Sequence, residues 1–242
     1  MHIEHEKTWR EEQLMRTSNN LKEMVYSGVY SKLLSCEYNP GDVITEGRLM
    51  SEFNCSKTPV REALSSLCNE GVITSIPRFG YVIEAISPDE VRDMLKFRLC
   101  IEKGFIKKAF PFFSDEQIDQ LDAIDRELQS SKNESWSQWE LHWELNVKFH
   151  VTMLSFCGNK YAVEMLEKCM QRLKRAYAQF YREINSTNMD YASQKTRLDT
   201  RNHLRILSAL KAKNEAELME YLELDIMDFG GIRIKRDEIV LI

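Results

Sequence analysis

The sequence predicts a mainly α-helical chain in two parts, with three short helices and a β-hairpin first and an all-α bundle of six or seven helices after them. Three observations carry this. Of 242 residues, 43% are hydrophobic and 29% charged, which is ordinary globular usage and excludes a disordered chain. Turn residues crowd the chain before Ser87-Pro88, whereas between 88 and 157 the only prolines and glycines are Pro88, Gly104 and Pro111. The apolar period is helical throughout except near 72–86, where β-rich runs replace it. The expected divisions are an arm over 1–17, a first unit over 18–87, a helical unit over 88–229 and a tail over 230–242.

In the first unit, Leu21, Met24, Val25, Val29, Leu33 and Leu34 keep helical spacing until Asn39-Pro40-Gly41-Asp42 supplies turn chemistry. Thr45 is placed to cap a short helix bearing Leu49, Met50 and Phe53, which Asn54 closes. Ser56 is a good N-cap for the next helix, and Pro59 falls in its first turn, where a missing N–H costs nothing. Val60, Ala63, Leu64 and Leu67 form its buried face, and Gly71 stops it. The runs Val72–Ile76 and Tyr81–Ile86, joined by Pro77-Arg78-Phe79-Gly80, read as a hairpin. Together these elements make a winged helix-turn-helix.

From Ser87 onward every signal is helical, over about 88–110, 114–130, 134–156, 159–183, 197–212 and 214–229. Ser114 and Gln117 approximate a capping box, Gly158-Asn159 separates two helices, and Asn185–Ser193 reads as an internal loop. The apolar end of the tail, Glu238–Ile242, is an aggregation hazard unless it packs on its own domain or on a partner subunit.

Six cysteines without a Cys-x-x-Cys pair argue against a zinc ribbon or a redox motif, and read as small buried residues in a reducing compartment. No run of about 18 uncharged apolar residues predicts a membrane helix. The N-terminus is polar and acidic, so a cytoplasmic protein is expected.

Two constellations carry chemistry. In the segment Thr45–Leu64, a helix, a tight turn and a second helix put Ser56, Lys57, Thr58 and Arg61 at the N-terminal end of the second helix. Free N–H groups and the helix dipole favour anions there, and Arg61 can reach a guanine edge. Arg78 and Gly80 sit at the hairpin tip, suited to a groove or the backbone of a duplex. The second constellation lies on apolar helical stripes: Arg98 with Glu102 one turn on, Asn146 with His150, then His203, then Asp225. Buried polar groups of this kind must be paired or liganded. The residues fit two arrangements: one divalent ion such as zinc, manganese or nickel held by Asn146, His150, His203 and Asp225, or a metal-free cavity in which Asp225 pairs with His203 or Arg98.

Pro40-Gly41-Asp42, Thr45-Glu46, Ser56-Lys57-Thr58-Pro59-Val60-Arg61-Glu62-Ala63-Leu64, Glu70-Gly71 and Pro77-Arg78-Phe79-Gly80 resemble the DNA-binding domain of GntR-type bacterial transcription regulators. That resemblance implies a homodimer on a palindromic operator, with Ser56, Lys57, Thr58, Arg61 and Gly80 at contacting positions. Lys57 stands where arginine is usual, and Gly47 where some members carry a contacting arginine. Arg98-x-x-x-Glu102, Phe149-His150, Gly158-Asn159 and His203-x-x-Ile206-x-x-Ala209-Leu210 resemble the helical FCD effector domain of the FadR branch. Many such domains hold a metal with an aspartate and three histidines, and the ion with a nearby arginine then binds a small organic acid. Here Asn146 stands where aspartate is usual and Asp225 where the last histidine is usual. The effector set that the resemblance implies is Arg98, Glu102, His150 and His203.

The resulting expectation is a transcription regulator that is not an enzyme, a repressor rather than an activator, switched by a small carboxylate. A metal-dependent hydrolase or lyase on the helical bundle is the rival, but no separate general base is indicated and the first unit would be left without a role. A DNA-binding protein with a purely structural helical domain is the third reading. The net charge of −5 does not exclude DNA, because local sign at Lys57, Arg61 and Arg78 decides contact, but it predicts weak non-specific binding.

Overall fold

The computed structural model describes residues 20–130, 136–187, 201–228, 232–235 and 238–241. The chain forms two units that meet in sequence between Ala85 and Ile86. The expected arm over 1–17, most of the expected loop Asn185–Ser193 and the packing of the tail's side chains lie outside the described residues.

In the first unit, helix α1 covers 20–34. Strand β1 (Val43–Ile44), helix α2 (Glu46–Glu52), helix α3 (Lys57–Asn69) and strands β2 (Ile73–Ile76) and β3 (Gly80–Ile83) follow. The expected two-stranded ribbon is a three-stranded sheet in the order β1-β3-β2. Two residues are too few to show a period, and what makes β1 a strand is its antiparallel pairing, Val43 opposite Val82 and Ile44 opposite Tyr81. The Asn39–Asp42 turn delivers it there: Gly41 N–H donates to Ile83 O at 2.9 Å, and Ile83 N–H to Asp42 O at 3.0 Å.

Local signals in this unit act as their chemistry dictates. Thr45 Oγ1 caps α2 by accepting from Arg48 N–H at 3.3 Å, and Asn54 takes a left-handed φ of 47° to end it. Helix α3 ends in a Schellman arrangement in which Gly71, at φ 64°, lets Val72 N–H reach back to Leu67 O at 2.9 Å. Val25, Val29, Leu49, Val60, Ala63, Leu64, Leu67, Ile73 and Ile83 form the core beneath.

The second unit carries α4 (Pro88–Ala109), a 3₁₀ turn at Phe110–Phe112, α5 (Asp115–Ser130), α6 (Trp136–Ser155), α7 (Lys160–Thr187), α8 (Arg201–Lys211) and α9 (Glu215–Met227). Ser87 caps α4 by accepting from Glu90 N–H at 3.2 Å, with Pro88 in the first turn. Ser114 and Gln117 close a reciprocal capping box, at 3.0 Å and 3.2 Å, so glutamine does what glutamate would. Helix α7 continues through Thr187, past the start expected for the loop at Asn185.

The expectation of helix alone after Ser87 fails at the tail, where β4 (Ile232–Lys235) and β5 (Glu238–Leu241) form an antiparallel hairpin. Ile-Arg-Ile-Lys and Glu-Ile-Val-Leu satisfy each other's backbone groups, with Lys235 opposite Glu238 and Ile232 opposite Leu241. Among the described residues no helix is long and apolar enough to cross a membrane.

Candidate functional site

Two sets of polar side chains stand out, one exposed in the first unit and one buried in the second. In the first unit, Ser56, Lys57, Thr58 and Arg61 are all exposed at the N-terminal end of α3. Ser56 occupies the N-cap position, but its hydroxyl makes no capping bond. That hydroxyl and the first N–H groups of α3 are therefore open to an outside acceptor.

A residue that sequence reading had placed only in a motif organises this face. Glu46, the first residue of α2, sits between the two cations of α3. Its Oε1 accepts from Arg61 Nε at 2.7 Å, and its Oε2 lies 3.2 Å from Lys57 Nζ. The Arg61 guanidinium, and after it Lys57, overcome partial burial and hold the Glu46 carboxyl below its ordinary value. Bonding through Nε leaves the Nη edge of Arg61 uncommitted among the described residues, and that edge is the one a guanine would take. The neighbouring Glu52 is engaged in the same way, with Lys32 at 2.6 Å and Tyr38 Oη at 2.9 Å. Gly47 is exposed and offers no side chain.

At the hairpin tip, Arg78 is exposed and adopts φ 66°. Gly80 has an internal reason to be glycine. Its φ is 134°, and a Cβ there would come within 2.7 Å of Ile44 O, so the residue lets β1 approach β3 closely.

In the second unit, five helices send polar side chains to one buried place. Helix α4 contributes Arg98 and Glu102, α5 Asp125, α6 His150, α8 His203 and α9 Asp225. Arg98 Nε donates to Glu102 Oε1 at 2.8 Å, and Glu102 Oε2 is 2.7 Å from His150 Nδ1. His150 Nε2 then lies 2.8 Å from Asp225 Oδ2, while His203 Nε2 is 3.5 Å from Asp225 Oδ1 and His203 Nδ1 is 3.4 Å from Asp125 Oδ1. Phe149 stacks on the His203 ring at 3.9 Å, fixing its plane.

Burial alone would push these groups to their neutral forms, and pairing reverses that. Burial works against an ionised Glu102, but Arg98 and then His150 outweigh it and hold the carboxyl below its ordinary value. Burial pulls His150 down most strongly, but Glu102 and Asp225 together outweigh it and leave the imidazole pushed up to about 9. Asp225 is likewise held low against its burial, by His203 and His150.

The pairing is incomplete in a specific way. Among the described residues, Arg98 Nη2, His150 Nε2 and both ring nitrogens of His203 are buried without a hydrogen-bond partner. His150 Nε2 thus faces Asp225 as an ion pair whose alignment falls short of a good hydrogen bond. One ligand atom each from His150, His203 and Asp225 lies within 4.8 Å of the others. Behind His150 stands the hydrogen-bonded carboxylate of Glu102, the arrangement that orients a metal-bound histidine, and Asp125 lies 3.4 Å from His203 Nδ1. A divalent ion fits this donor set.

Three of the four sequence-derived ligands are therefore together. Asn146, one turn before His150 on α6, is partly buried. Asp125 was missed, although it lies on the stripe Ile118, Leu121, Ile124, Leu128 and the test that found Asp225 would have found it. Glu102, expected among effector contacts, has both oxygens engaged by Arg98 and His150.

Comparison with known proteins places each unit in a known family. The model of the gntR family of bacterial regulatory proteins matches residues 21–83, and that of the FCD domain matches residues 93–225. The chain is 24% identical over 204 residues to YdhC, an uncharacterized HTH-type transcriptional regulator of Bacillus subtilis, covering 84% of this chain and 83% of that protein. It is 25% identical over 202 residues to the HTH-type transcriptional repressor RspR of Escherichia coli, covering 80% of each. Among solved structures, E. coli McbR/YncC superposes with a TM-score of 0.63 at 20% identity, covering 86% of this chain and 93% of that one, a likeness of fold.

Proposed function

This chain belongs to the gntR family of bacterial regulatory proteins, with an FCD domain behind its winged helix, and from that premise we propose that it is a metabolite-responsive repressor. DNA binding and transcriptional regulation come with the family. The matched families and relatives are regulators rather than enzymes, which removes the hydrolase or lyase reading.

The observation that carries the ligand response is the convergence of His150, His203 and Asp225, each close to the others, with His150 Nε2 and both ring nitrogens of His203 short of hydrogen bonds. These three hold one divalent ion, zinc, manganese or nickel, with Glu102 orienting the His150 imidazole and Asp125 beside that of His203. Three protein ligands leave coordination positions for oxygens of a small organic acid, and the unpaired Arg98 Nη2 supplies a donor for its carboxylate. When bound, the ion supplies Lewis acidity that makes a carboxylate effector bind in a buried place.

On DNA, two copies of the chain bind a palindromic operator, each placing the N-terminal end of α3 in the major groove, with Ser56, Lys57, Thr58 and Arg61 in reach and Arg78 at the flank. A relative at 25% identity is named a repressor, which supports repression as the sign of control. Effector binding switches the protein only if the ligand prefers one arrangement of the two DNA-binding domains, and the Ser87-Pro88 junction is the hinge that arrangement requires. The protein works in the cytoplasm.

Elemental analysis of the purified protein tests the ion, with His150→Ala and His203→Ala as controls. One equivalent in the parent and none in the variants is the expected result, and absent or unchanged metal across the set sinks the ion. Operator affinity with and without candidate organic acids tests the switch. An acid that raises the melting temperature and leaves operator affinity unchanged overturns regulation through this site.

A further inference from the structure

The tip of the β2–β3 hairpin is apolar, rigid and exposed at once. Ile76, Pro77, Arg78 and Phe79 are all exposed. Phe79 shows 60% of its surface and Ile76 41%, and Phe79 does not join the residues packed on the core of the first unit. The segment is held nonetheless. Phe79 N–H donates to Ile76 O at 3.0 Å, Pro77 fixes its own φ, and Arg78 takes the left-handed conformation of the third residue in a type II turn. Directly after it, Gly80 is pressed against Ile44 O of β1, and Ile76 pairs with Gly80 across the ladder.

The phenyl ring of Phe79, carried on this constrained turn, keeps apolar surface in water that a partner can cover. It has no group that can bond a phosphate or a base edge, so its contribution is the removal of apolar surface alone. Arg78, next to it, supplies the charge that a duplex backbone requires. An apolar side chain beside a cation, on a stiff β-ribbon, is the equipment of a wedge that enters the minor groove and parts two stacked base pairs.

Resting on the reading that this hairpin flanks the α3 site on DNA, we infer that Phe79 is a specificity-determining wedge. It inserts at one base-pair step in the minor groove beside each half-site. The step chosen is a flexible pyrimidine–purine step, TA or CA/TG, because unstacking is cheapest there. Sequence preference thus arises at a position where no hydrogen bond reads a base, and the bound duplex is kinked.

The probe is a duplex enriched from a randomised pool by the full-length protein, carrying 2-aminopurine at the flanking step. Phe79→Ala is expected to bind it about ten-fold more weakly, the size of one mismatched base pair. The same variant should lose the fluorescence rise that reports unstacking and, in a repeated selection, the preference at that step alone. Phe79→Leu, which keeps an apolar wedge, should retain the fluorescence rise and most of the affinity. Because Phe79 is exposed, both variants should melt with the parent. Unchanged affinity and selection profile in Phe79→Ala overturn the wedge. So does weaker binding with the fluorescence rise intact, which would mean the ring packs on sugars. If the parent protein enriches no duplex, the DNA-contact reading falls together with the wedge.

Discussion

Each unit contains a carboxylate that bridges two cations, and the pair makes a controlled comparison. Glu46 joins Lys57 and Arg61 in the first unit, and Glu102 joins Arg98 and His150 in the second. The distances are similar, but the surroundings are opposite. Lys57 and Arg61 are 54% and 59% exposed, whereas Arg98 is 6% exposed and Glu102 and His150 are fully buried. Water can replace either partner of Glu46, so that bridge opens at little cost and its cations can pass to phosphates or bases. Nothing replaces the partners of Glu102, so that bridge fixes the shape of the site. The same chemistry yields an exchangeable contact in one place and a permanent scaffold in the other.

The largest expected effect breaks the buried bridge. Glu102→Ala removes the partner of the buried Arg98 guanidinium and leaves His150 with Asp225 alone, and should cost about 3–5 kcal/mol in urea unfolding of the second unit. A loss below about 1 kcal/mol would mean that water enters the site and that the two bridges do not differ in kind.

Next comes the ion. A ligand present at about 100 times its Kd stabilises the native state by about 2.7 kcal/mol. Chelator treatment should therefore lower the unfolding midpoint of the second unit, and zinc, manganese or nickel should restore it. Asp225→Ala should abolish the restoration. Restoration that persists in Asp225→Ala would place the ion elsewhere.

Much of this was legible in the sequence, and the exceptions share a physical cause. The helix-turn-helix could be read because each step is local: Thr45 and Asn54 bound α2, Gly71 ends α3, and the exposed face of α3 follows from its period. Arg98 and Glu102, one turn apart, could be paired from spacing alone. What spacing cannot supply is which faces meet. His150, His203 and Asp225 were each visible as polar residues on apolar stripes, but periodicity holds no information on their convergence from three helices. Asp125 carried the same signal, Ile118-Leu121-Asp125-Leu128. Glu46 gave none beyond its motif, because an acid in the first turn of a helix already satisfies the dipole, and its bridge to α3 is tertiary. Strand β1 and the tail hairpin failed for length, since two to four residues do not establish a period of two.

On the DNA side, Arg61 and Lys57 should separate. Arg61→Ala should cost about 1–3 kcal/mol of discrimination between operator and scrambled duplex. Lys57→Ala should weaken both duplexes alike and reduce the salt slope by about one. Titrations of both duplexes at several salt concentrations decide this, and equal weakening of the two by Arg61→Ala would show that Arg61 binds phosphate rather than a base.

The smallest expected effect on stability is the most informative about the exposed bridge. Glu46→Gln removes the carboxylate charge and keeps the shape, and should change the unfolding free energy by less than about 1 kcal/mol, as for other exposed ion pairs. Its effect on DNA should be larger and should depend on sequence. With Glu46 in place, the N-terminal end of α3 presents two cations and one anion, and the Nε bond holds Arg61 with its Nη edge outward. Without that charge, both cations reach phosphates of any sequence, so affinity for scrambled duplex should rise and its salt slope should steepen by about one. Arg61 also loses its holder, so operator affinity should rise less, and the ratio between operator and scrambled duplex should fall. A variant that leaves scrambled-duplex affinity untouched and unfolds several kcal/mol more easily would show that Glu46 braces α2 against α3. The exposed bridge would then be structural, as the buried one is, and burial would not be what separates them.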